Sequence, residues 1–127
     1  MKRKIVKYLK NKEESQYTVL DNIFKLYIDG HLEELLNNYG FSEIKFYPHI
    51  RKNSNYLQID FWYYNLVVNI QFDDLCFDYC IYLPGISAEK FDKGFIESNY
   101  SDNFNIENFI SYLHTILNKD DRLNRLS

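Results

Sequence analysis

Apolar residues recur at every second position through three successive runs between residues 56 and 84, and this pattern constrains the chain more than any other. Leu57, Ile59, Phe61 and Tyr63 alternate with Gln58, Asp60, Trp62 and Tyr64; Leu66, Val68, Ile70 and Phe72 follow, then Leu75, Phe77, Tyr79, Ile81 and Leu83. A strand points successive side chains to opposite faces, so each run reads as a strand with one apolar face. Taking Tyr64-Asn65 and Asp73-Asp74 as two-residue loops predicts antiparallel pairing with inner rows Ile59/Ile70/Phe77, Phe61/Val68/Tyr79 and Tyr63/Leu66/Ile81. The outer rows are then Gln58/Gln71/Cys76, Asp60/Asn69/Asp78, Trp62/Val67/Cys80 and Tyr64/Asn65/Tyr82. Neither loop is Asn-Gly or Asp-Gly, which leaves a one-residue bulge open.

The flanking segments complete an α+β fold. Residues 41 to 50 read as a first strand, with Ile44 and Phe46 opposite Lys45, Tyr47 and His49; Pro48 cannot donate a ladder bond and puts this strand at an edge. With a polar loop over 51 to 55, the expected sheet is a four-stranded antiparallel meander in sequence order. From 17 to 39, Leu20, Ile23, Phe24, Tyr27, Ile28, Leu32, Leu35 and Leu36 recur at steps of three and four, the stripe of an amphipathic helix. Asp29-Gly30 interrupts it and Gly40 caps it. A second helix, capped by Asn103 or Asn105, runs from Ile106 to about Asn118. Both helices are expected to pack on the Ile59 face. Residues 84 to 103 form a long connection holding Pro-Gly, either a functional loop or the site of a short helix over 87 to 92. Residues 120 to 127 extend the last helix or fray.

With 127 residues, 46% of them hydrophobic, the chain suits a single domain spanning 1–127. Twelve Tyr, ten Phe and a single Ala give it the residue usage of an AT-rich bacterial or mobile-element gene. The net charge of −3 conceals an asymmetry: residues 1 to 12 carry six Lys or Arg and no acid, leaving nine basic against eighteen acidic residues in the body. Such a body repels phosphate backbones and attracts cationic partners. Three readings of the basic segment stay open, in order of preference: an amphipathic helix docked on the body, a solvated tail, or a nucleic-acid or membrane contact. No run approaches the roughly 20 apolar residues of a membrane span. Cys76 and Cys80, four apart on one expected strand, read as free thiols, and the protein is expected to be cytoplasmic.

The signatures of phosphate loops, zinc proteases, Cys-x-x-Cys sites and serine hydrolases are missing. His31, His49 and His114 are scattered, so the expectation is no catalytic residue, no metal and no cofactor. The row Asp60/Asn69/Asp78 places two carboxylates about 10 Å apart across two interstrand spacings, with no basic residue of the sheet to answer them. Three readings compete: the solvated face of an antiparallel sheet, a catalytic acid pair, and a protein-binding patch. The company of Trp62, Tyr64 and Tyr82 favours the last, because a merely solvated face has no need of large aromatics. The candidate partner-binding residues are Asp60, Trp62, Tyr64, Asn69, Asp73, Asp78 and Tyr82.

One acidic domain, AT-rich composition, an α+β layout and the helix ending Leu35-Leu36-Asn37-Asn38-Tyr39-Gly40-Phe41 ahead of a meander resemble the small bacterial immunity proteins of contact-dependent inhibition and related polymorphic toxin systems. The resemblance implies a non-enzymatic inhibitor that binds a cognate toxin domain, commonly a basic nuclease, with neither nucleic acid nor membrane as partner. Two alternatives of other classes remain: a small enzyme or ligand-binding domain using a pocket between the sheet and the 84–103 loop, and a phage or plasmid regulator touching nucleic acid through its basic N-terminus.

Overall fold

A computed structural model describes residues 2–10, 19–52, 54–74, 76–83, 89–96 and 104–119, with Tyr82, Leu83 and 89–96 described by backbone alone. The alternating segments form one antiparallel sheet in the order β1 (Ser42–Arg51), β2 (Ser54–Tyr63), β3 (Leu66–Asp73), β4 (Phe77–Leu83) and β5 (Glu89–Ile96). Among the described residues four helices accompany it: α1 (Lys2–Lys10), α2 (Val19–Ile28), α3 (His31–Asn38) and α4 (Ile106–Asn118). The fold is α+β and the four expected strands follow one another as a meander. A fifth strand extends it.

That strand lies where a loop or a short helix over 87–92 was expected. Its sequence lacks period-two apolar alternation because it sits at the edge of the sheet, where charged residues and irregular pairing discourage further strands. The register indeed slips between Ile81 and Tyr82. Residues 84–88 and 97–103, the rest of the expected connection, lie outside the described residues, as do Leu75, the start of the first helical stripe at 17–18, and 120–127.

The β2–β3 register is the expected one, with Ile59 opposite Ile70, Asp60 opposite Asn69 and Phe61 opposite Val68. The β3–β4 register differs by two residues: Phe72 faces Phe77, Ile70 faces Tyr79 and Val68 faces Ile81. The cause is the turn. Asp73 donates its backbone N–H to the Cys76 carbonyl at 2.9 Å, and its carboxylate accepts the Cys76 N–H at 2.9 Å. The turn closed by this Asp runs from Asp73 to Cys76, one residue later than assumed, which shifts every β4 partner by two. A two-residue slip leaves every side chain on its expected face but moves it to another row. Phe61 is accordingly buried and Trp62 lies on the opposite face, half-buried.

On the helical side the break at Asp29-Gly30 is real: Gly30 takes φ +80 and separates α2 from α3. Gly40, at φ +84, donates to the Asn37 carbonyl and Phe41 to that of Leu36, terminating α3 in the left-handed manner that glycine adopts without strain. Asn105, of the two candidate caps, starts α4 by accepting the Asn108 N–H at 3.1 Å. The basic segment, over 2–10, is a docked helix: Ile5 is fully buried, the Tyr8 ring meets Phe24 edge-on at 5.8 Å, and the Lys2 ammonium lies 5.2 Å over the Tyr27 ring.

Burial follows the expected faces. Leu57, Ile59, Phe61, Leu66, Val68, Ile70, Phe72 and Ile81 of the sheet join Leu20, Ile23, Phe24, Leu32, Leu36, Ile110, Leu113 and Leu117 of the helices in one core. Ring contacts tie the layers: Phe109 of α4 meets Phe77 at 4.7 Å and Tyr79 at 5.4 Å, and Tyr27 of α2 meets Phe46 of β1 at 4.7 Å. Among the described residues no helix is long and apolar enough to cross a membrane.

Candidate functional site

The face opposite the core is built by the alternate residues of β1 to β4. Tyr47, Gln58, Gln71 and Asp78 form one row, and Lys45, Asp60, Asn69 and Cys80 the next. Gln58, Asp60, Trp62, Asn69 and Gln71 are half-buried, while Lys45, Tyr47 and Asp78 are exposed.

Asp60 is held on this face by two neighbouring side chains. Its carboxylate accepts the Asn69 side-chain amide from the neighbouring strand and the Gln58 amide at 3.3 Å from two positions along its own. Two neutral donors fix the carboxylate plane without cancelling its charge. The expected triad Asp60/Asn69/Asp78 is not a row: the shifted hairpin sets Asp78 opposite Gln71, and Asn69 faces Cys80. Nor does Asp60 lack a basic neighbour, because β1 brings Lys45 directly across from it. The expectation failed because the Lys45 register depends on a two-residue turn after Arg51. Residues 51 to 55, expected as a polar loop, belong mostly to strands, with Arg51 opposite Ser54 and its N–H donated to the Asn55 side chain at 3.0 Å.

The other candidates separate. Trp62 sits on the outer face beside Val67, which is only 7% exposed, so the indole belongs to a small apolar island there. Tyr82 extends that row by register, opposite Val67 and Lys90. Asp73 is at the end of β3, its carboxylate engaged with the Cys76 N–H and within 3.4 Å of the Cys76 sulfur, a turn-forming role. Cys76 therefore lies in the loop rather than on β4, and neither cysteine is in a disulfide.

Tyr64 occupies the β2–β3 turn at φ 55 with 66% of its surface exposed. Its ring meets that of Tyr63 edge-on at 4.9 Å, and the two tyrosines line a polar cavity of about 580 Å3 with Asn38, Tyr39, Gly40 and Ser42. Behind that cavity the Tyr63 hydroxyl donates to Asn118 of α4 and stands 3.5 Å from His114 Nε2. Burial, and secondarily Tyr64, raises the Tyr63 phenol above its ordinary range, which disfavours a phenolate. His114 packs against the rings of Tyr39 and Tyr63 at 5.2 and 5.6 Å, the surroundings of a packing residue.

Sequence reasoning did not assign Tyr47 and the His49–Tyr56 stack to the site, although β1 parity was legible. Those two rings lie 4.5 Å apart and nearly parallel, across β1 and β2 on the Asp60 face. Among the described residues no three His, Cys, Asp or Glu side chains gather in an arrangement able to hold a metal ion. No protein-family model, curated protein or solved structure matches the chain.

Proposed function

We propose that this domain is a non-enzymatic immunity-type inhibitor that binds a cognate toxin domain through the outer face of β1 to β4 and the β2–β3 turn. One observation carries the reading: Tyr64, a bulky aromatic, is held in the left-handed backbone region and mostly in water at the end of that face. A non-glycine residue at positive φ costs on the order of 1 kcal/mol, and exposing its ring forgoes burial. The positive φ closes the two-residue hairpin between Tyr63 and Leu66, but exposing the ring does nothing for the free protein, whereas an exposed, turn-fixed aromatic is what an interface anchor requires. Asp60, its plane fixed by Gln58 and Asn69, supplies a preorganised acceptor for a partner Arg or Lys, with Trp62 and Tyr47 as neighbouring apolar surface. The surplus of eighteen acidic over nine basic residues beyond the first twelve suits a basic toxin, for which opposite fields speed encounter.

The test is to sequence the neighbouring genes and to co-express the chain with a secreted toxin domain found there. Growth should be restored, the two proteins should co-elute, and Tyr64→Ala should weaken the complex at least about tenfold, a change of ~1.4 kcal/mol. Failure of a folded, expressed domain to protect, together with no measurable binding to the purified toxin domain, would refute the reading.

A further inference from the structure

A groove of about 570 Å3 opens between α2, α3 and the start of α4; it is lined by residues of the helices and their flanks rather than by the outer face of β1 to β4, and shares Asn38 with the cavity beside Tyr64. Its floor is the fully buried pair Ile23 and Leu32, and its walls include the half-buried Leu26, Leu35 and Ile106. The volume is that of sites which enclose a small organic ligand, and an apolar floor under a polar rim is their usual construction. Leu26 and Leu35 are apolar side chains on helix surfaces that the described core leaves partly open to water.

The rim decides what charge such a ligand carries. Glu34 and Glu107 are both exposed on it, with His31 and the carboxamides of Asn22 and Asn38, and among the described residues no Lys or Arg lines the groove. Two carboxylates contribute a charge of about −2 at neutral pH. The N-terminal turns of α3 and α4 also border the groove, and each helix start acts as roughly half a positive charge. With His31 taken as neutral, the described groups balance close to −1. An anion is disfavoured, a dication is only half answered, and a single ammonium is matched.

We propose that this groove is a binding site for a monocationic amphiphile, a primary amine carrying an apolar chain: the chain lies over Ile23 and Leu32, and the ammonium sits between the Glu34 and Glu107 rims. The carboxamides at 22 and 38 accept its remaining N–H donors through their oxygens. Because the carboxylates are exposed, each adds modestly to affinity and the contribution shrinks as salt screens it. Chain burial supplies the rest.

The experiment is calorimetric titration of the full chain with octylammonium chloride, with octanoate and octanol as probes of equal chain length. Octylammonium should bind saturably, one per chain, at least about tenfold more tightly than either control. Glu34→Gln and Glu107→Gln should each weaken it about threefold, and Asn38→Lys, an exposed change that places a competing ammonium on the rim, should weaken it more than either. Asp60→Asn on the sheet face should leave it unchanged, which separates this site from the toxin-binding reading: either can fail without the other. Equal binding of all three probes would overturn the charge assignment and leave adventitious apolar adsorption. Absence of amine binding, with concentration-dependent dimerisation abolished by Asn38→Lys, would assign the groove to a second copy of the chain and overturn the proposal.

Discussion

Asn69 on β3 donates its side-chain amide to the carboxylate of Asp60 directly across the ladder on β2. The pair makes the Asp60 carboxylate an oriented, half-buried acceptor, and Gln58 holds it from a second direction. Asp78 lies one row away, opposite Gln71, and is exposed.

The two aspartates therefore differ in what their neutralisation does. Asp60→Asn replaces a charge-assisted acceptor with an amide that must rotate to accept from Asn69, and is expected to lower stability by about 1 kcal/mol. Asp78→Asn is expected to stay within about 0.5 kcal/mol of wild type. Urea unfolding of the two single variants checks this; equal destabilisation by both would mean that the Asn69 bond contributes nothing.

At the β2–β3 turn, strain and exposure are predicted to oppose function. Tyr64→Gly removes the cost of a positive φ at a residue with a Cβ and should raise stability by up to about 1 kcal/mol. The same change should weaken binding to the toxin domain, because the exposed ring is lost. Thermal melts and a binding isotherm on one variant give both readouts.

Tyr63 and Tyr27 both ionise above the ordinary tyrosine range, Tyr63 through burial and then Tyr64, Tyr27 through burial and then Glu33. The folded state holds these protons more tightly than the unfolded chain does. Their contribution is thus complete below an unfolded phenol pKa of about 10 and is lost as pH rises from there through the folded values. Stability measured from pH 9 to 12 should fall, and the Tyr63→Phe, Tyr27→Phe double variant should flatten the fall. Tyr63→Phe alone should cost about 1 kcal/mol at neutral pH through the lost bond to Asn118.

Phe72 and Phe77 face each other across the turn from Asp73 to Cys76, ring centroids 5.3 Å apart, both essentially inaccessible to water. Phe72→Ala is expected to cost roughly 3 to 5 kcal/mol. A double-mutant cycle with Phe77→Ala should show coupling of about 0.5 to 1.5 kcal/mol, whereas Phe77 and Ile70, the pair set by a turn one residue earlier, should show less.

Ile5 tests whether the basic segment is part of the fold. Its side chain is fully buried, so Ile5→Ala should cost roughly 2 to 5 kcal/mol. Replacing Lys4 and Lys7 by Gln, on the exposed side of α1, should change stability by no more than about 0.5 kcal/mol. Denaturation of both variants distinguishes a docked helix from a solvated tail.

The period of two in residues 56 to 83 determined by itself which face the described side chains of β2, β3 and β4 take, because parity along a strand survives any slip by an even number of residues. The steps of three and four, with Gly30 and Gly40 as punctuation, likewise located the helices, the break between α2 and α3 and the end of α3, since capping is a local bond. What only the tertiary structure decided is which residues share a row. The Asp73 carboxylate closes a four-residue turn and moves Asp78 away from Asp60, while the short turn after Arg51 moves Lys45 toward it. The fifth strand belongs to the same category: its residues show no apolar alternation, and they are strand because β4 offered them a ladder to join. Rows, edges and the groove between helices arise from pairings across distant parts of the chain, and a periodicity read along one segment carries no information about its neighbour's offset.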